Sequence, residues 1–73
     1  MTFYVQIGNG EESYEVKDYN HDYGLIIVQG EHIQFAVATD EEVMRQHNAQ
    51  IVDAAGGTYT VTDFIEQWET SDA

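Results

Sequence analysis

The sequence predicts an α+β fold: an antiparallel sheet of about four strands, then one longer and one shorter helix packed on it (β-β-β-β-α-α), as a single acidic domain over residues 1–73. Three observations carry this. Apolar residues alternate with period two through the first half of the chain. At Thr39 the period lengthens to that of a helix. Hydrophobic residues make up 42% of the chain and aromatics 12%, enough for a packed core despite a formal net charge of −12.

Residues 2–7, TFYVQI, place Phe3, Val5 and Ile7 on one face and Thr2, Tyr4 and Gln6 on the other. The GNG that follows is a hairpin signal. Residues 12–17 alternate again, with Tyr14 and Val16 inward and Ser13, Glu15 and Lys17 outward. LIIVQ at 25–29 is a continuous β-branched run, the pattern of a central strand at least partly covered on both faces. HIQFAVA at 32–38 alternates through Ile33, Phe35 and Val37.

Thr39 with Glu42 has capping-box spacing and predicts a helix over 40–55, ended by Gly56 and Gly57. Its apolar arc is Val43, Met44, His47, Ile51 and Ala54, and Glu41 and Arg45 stand at i and i+4. A shorter helix near 62–69, capped by Thr60 or Thr62, carries the stripe Val61, Phe64, Ile65 and Trp68, and the last residues fray. The expected core is Phe3, Val5, Ile7, Tyr14, Val16, Ile27, Phe35, Val37, Ile51, Phe64 and Trp68.

The chemistry of enzymes finds little to work with. The absence of cysteine excludes disulfides and zinc–thiolate sites. DYNHDYG at 18–24 offers Asp18, Asn20 and Asp22 at calcium-loop spacing. Tyr23 stands where that loop needs glycine, however, and Gln29 where it needs glutamate. The residues read better as a turn. His21, His32 and His47 have no histidine or cysteine partner at metal-ligand spacing, and Ser13 and Ser71 have no nearby base. No catalytic residue, metal or cofactor is expected. The longest apolar run, LIIV, is too short to span a bilayer, and the expected location is the cytoplasm.

Charge is the outlying property. Fourteen acids face one lysine, Lys17, and one arginine, Arg45. Such a surface repels nucleic acid and anionic membranes and attracts basic proteins. The acids fall into groups: Glu11, Glu12, Glu15, Asp18 and Asp22 around the second strand; Asp40, Glu41 and Glu42; and Asp63, Glu66 and Glu69, with Asp72 beyond. The first and last are the candidate partner-binding residues, the hairpin group ranked first. The expected partner is a basic protein that binds nucleic acid, met by a monomer or homodimer of this chain. Five tyrosines and Trp68 offer flat groups for the rim of such a contact. In size and charge the chain is similar to small acidic inhibitors of phages and mobile elements, some of which imitate DNA to block restriction, CRISPR or repair enzymes. No motif is shared with them. An antitoxin or accessory subunit masking a basic partner, or a salt-adapted structural module, would have the same composition.

Overall fold

The computed structural model describes residues 2–8 and 12–71. They run in the order β1 (Phe3–Ile7), β2 (Glu12–Asn20), β3 (Leu25–Gln29), β4 (Gln34–Ala38), α1 (Glu41–Gln46), β5 (Gln50–Asp53), β6 (Thr58–Tyr59) and α2 (Val61–Ser71). The strands form one antiparallel sheet ordered β4-β3-β2-β1-β5-β6. The class is α+β, but four strands followed by two helices is not the arrangement. β5 and β6 lie between the helices in sequence and extend the sheet beyond β1. The GNG turn expected between β1 and β2 lies largely outside the described residues.

The helix expected over 40–55 stops at Gln46, and Asn48 is the reason. It adopts φ 53°, a left-handed conformation that asparagine tolerates better than most residues. The amide of Asn48 donates to the Arg45 carbonyl (3.1 Å) and that of Ala49 to Met44 (2.7 Å). This is a complete Schellman cap. Beyond it Ile51 and Val52, both β-branched or buried by their neighbours in the sheet, pair with β1 instead of prolonging a helical arc. Gly56 and Gly57 belong to the β5–β6 hairpin loop. Asn48→Ala should cost about 1 kcal/mol, whereas Asn48→Gly should leave stability equal or higher. Urea unfolding of the two variants checks this.

β2 contains the second departure. Val16 pairs with Val28 and Asp18 with Ile27, so Lys17 is the extra residue of a β-bulge. Strict alternation would send Asp18 inward after Val16. The bulge inverts the parity, so Tyr19 turns inward, edge-on to Phe64 at 5.9 Å, and Asp18 shares the other face with Ile27.

The buried cluster is Phe3, Val5, Val16, Ile26, Val28, Met44, Ile51 and Phe64, with Ile7, Tyr14, Phe35, Val37 and Trp68 half-buried against it. Ile27 was expected there and is not. Ile26 and Val28 point to the core, and Ile27 lies half-buried on the opposite face beside Ala36. α2 covers the core face through Phe64, whose ring meets Phe3 edge-on at 5.1 Å. Among the described residues, both helices pack on the core face; the opposite face presents Tyr4, Leu25, Ile27, Ala36 and Ala38 and buries Val52, which pairs with Tyr4.

Candidate acidic interface

The acids of α2 owe their position to the apolar stripe. Thr60 accepts the Asp63 amide through Oγ1 (3.1 Å) and so caps the helix. Phe64 is buried, and Val61, Ile65 and Trp68 are half-buried beside it. Asp63, Glu66 and Glu69 are therefore left in solvent. Three residues apart, they succeed one another every ~4.5 Å along the axis.

Each end of this row meets another acidic element. At the N-terminal end, Glu41 accepts the Val61 amide through Oε1 (3.2 Å), which joins the start of α1 to the start of α2. Arg45 was placed to pair with Glu41; Glu41 turns to Val61 instead. At the C-terminal end, His21 Nδ1 lies 3.1 Å from Glu69 Oε1, which brings the β2–β3 turn to the helix. Asp63, Glu66 and Glu69 thus form an acidic row on α2, met by Glu41 at one end and by the β2–β3 turn at the other. The last turn of α2 holds no basic residue, so the negative end of the helix dipole adds to Glu69.

Asp40 is occupied by structure. Its Oδ1 accepts the amides of Glu42 (2.9 Å) and Val43 (3.2 Å), making it the cap of α1. Thr39, expected in that role, instead donates its hydroxyl to the Gly24 carbonyl at 2.7 Å. Between α1, β5, β6 and the start of α2 lies an open groove of about 420 Å³, with Glu41, Arg45 and Asp63 at its polar margin.

The hairpin group ranked first does not share a face. Glu12 holds the Tyr14 hydroxyl on the core side of the sheet; Glu15 and Asp18 lie on the other side. Glu15 is paired with Lys17 at 2.8 Å. Asp22 sits in the distal turn, next to the His21 that meets Glu69. Glu11 lies outside the described residues, as does Asp72. In DYNHDYG, Asp18 accepts the Tyr19 amide (2.8 Å) and Asn20 the Tyr23 amide (3.1 Å), so these oxygens organise the strand end and turn. Of the aromatics offered as rim contacts, Tyr14, Tyr19, Tyr59 and Trp68 pack against the core, and Tyr23 is 78% exposed.

Sequence reading missed the junctions at the two ends of this row, because His21–Glu69 and Glu41–Val61 join residues far apart in the chain. It also missed Asp53. This carboxylate accepts the Tyr59 hydroxyl (2.7 Å) and the amides of Gly57 (2.8 Å) and Ala55 (3.0 Å), fixing the β5–β6 loop. The Tyr59 bond, then the loop amides, hold its pKa below the ordinary 3.8, and the same bond raises that of Tyr59. The sign follows directly. Stability from Asp53 is fully present above pH 3.8 and is lost as pH falls through its lower folded value. Amide exchange at 54–59 should accelerate over that acid window, and in Asp53→Asn it should be fast already at neutral pH.

No family model, curated protein or solved structure matches the chain.

Proposed function

We propose that this protein is a non-enzymatic inhibitor of the phage or mobile-element kind. It lays the acidic ridge of α2 into the basic nucleic-acid groove of a host protein, such as a restriction or CRISPR enzyme, in the host cytoplasm. One observation carries the reading: the exposed carboxylates Asp63, Glu66 and Glu69 run the length of α2, the last of them in its final turn. Glu69 stands beside the negative pole of the dipole, a position that favours cations. Beyond its contact with His21 at 3.1 Å, an acid in that position suits a surface that imitates phosphates. The axial spacing of about 4.5 Å is near the 3.4 Å per phosphate of one DNA strand. The ridge also runs across a body measuring 32 × 25 × 24 Å, large enough to fill a groove that accepts a duplex.

The chemistry required is charge pairing under desolvation, with no bond made or broken. Carboxylates that meet arginines and lysines of the groove gain most where water is excluded, and the excess negative field speeds encounter. The test is capture from a host lysate at low and at high salt. The proposal expects a basic nucleic-acid-binding protein, retained at low salt and released as salt rises. Capture of a protein with no nucleic-acid groove, held equally at both salts, would favour a masking subunit.

A further inference from the structure

We propose that the β4 edge is a self-association surface, on which a second copy of this chain adds its own β4 antiparallel and continues the sheet across a two-fold axis. The two edges of the sheet are built differently. β6 is two residues long, a common way of blunting an edge. β4 is five residues long, QFAVA, with no charge and no proline, and its pairing with β3 runs without a bulge. It has none of the devices that keep sheet edges apart.

The uncharged strand and the exposed apolar residues at its two ends select a second copy as the occupant. Each chain carries −12, so two copies repel wherever acids face each other. The strands β3 and β4 have no acid; Glu31 precedes β4 and Asp40, Glu41 and Glu42 follow it, so repulsion between copies falls at the two ends of the pairing, where salt screens it. The acids of α2 lie over the half of the sheet where Phe64 and Trp68 meet Phe3 of β1. β1 and β4 are three strand spacings apart, about 14 Å. The extended edge of the sheet is thus a strand without charge, which a second copy can meet along its length.

The exposed apolar residues add an independent indication of direction. Of the large hydrophobics most exposed, Ile33 (67%) immediately precedes β4. Tyr23 (78%) stands in the turn that closes on the end of β4. That closure is the Thr39 amide bonded to the Gly24 carbonyl at 2.9 Å. Antiparallel pairing about Ala36 brings the start of one β4 beside the end of the other. Ile33 of each copy then meets the end that carries the partner subunit's Tyr23, twice over, as an isologous interface requires. Ala36 on the open face presents a small side chain at the axis.

Sedimentation equilibrium of the intact chain tests this at 0.05, 0.15 and 0.5 M NaCl. A dimer should form and tighten as salt screens the repulsion, the opposite of the salt response expected with a basic partner. The self-association and inhibitor proposals therefore fail separately. Ala36→Glu sets two carboxylates opposite each other and should raise the dimer dissociation constant on the order of tenfold or more. Thr58→Glu on the β6 edge should leave it unchanged. Circular dichroism confirms that each variant is folded, and amide exchange at 34–38 in the parent should slow as protein concentration rises. A monomer at every salt up to ~0.5 mM protein overturns the proposal, because an edge pairing weaker than this is no specific interface. So does a dimer that Ala36→Glu leaves intact.

Discussion

Phe64→Ala should remove about 3–5 kcal/mol of stability, enough to leave much of the protein unfolded at low salt. Phe64 is fully buried and lies against Phe3, Tyr19 and Trp68, with ring centroids 5.1, 5.9 and 5.7 Å away. Its truncation opens a cavity where α2 meets the sheet. A domain of this length has roughly 4–11 kcal/mol in all, and self-repulsion pulls this one downward. Trp68 fluorescence reports the loss directly. With a urea slope of about 1 kcal/mol per molar, the midpoint should fall by about 3 M or vanish. Added salt should recover part of the repulsion component and none of the cavity component. A shift of less than 1 M would mean that α2 is not the lid of this core.

Charge reversal on α2 should be the most damaging change to binding. Under the proposed function, Glu66→Lys with Glu69→Lys should weaken the complex with the proposed basic partner on the order of 100-fold, since each lysine leaves a groove cation unpaired and opposed. Glu12→Lys with Glu15→Lys alters the net charge by the same amount. Those two carboxylates stand on opposite faces of the sheet, and one is already paired with Lys17. That pair should cost far less, and chiefly in association rate. The comparison separates a located face from a general charge effect. Equal losses from both double variants would leave only the latter.

What the sequence made legible follows from how local each signal was. The stripe of α2, the faces of β1 and the inward Tyr14 and Val16 depend on neighbours two to four residues away, and they were read correctly. The run at 40–55 was misread because His47, Ile51 and Ala54 also satisfy a helical period. One asparagine in a left-handed conformation ends the helix, and asparagine is a weaker stop sign than glycine. The bulge at Lys17 changes the facing of everything after it while leaving no mark in composition. Ile27 was misplaced because a continuous apolar run has no phase to read. The acidic ridge was half visible: the 63–69 row came from helical spacing. Its joining to the β2–β3 turn and Glu41 depends on contacts between elements that no local pattern records.

The central claim, that the ridge occupies a nucleic-acid groove, is tested most directly by competition. A fluorescently labelled nucleic acid is bound to the captured partner and this protein is titrated in at fixed, low ionic strength. The anisotropy should fall to that of free nucleic acid at stoichiometric protein. The same titration with Glu66→Lys and Glu69→Lys should leave the label bound. A ternary complex, with this protein and the nucleic acid on the partner together, would contradict the claim.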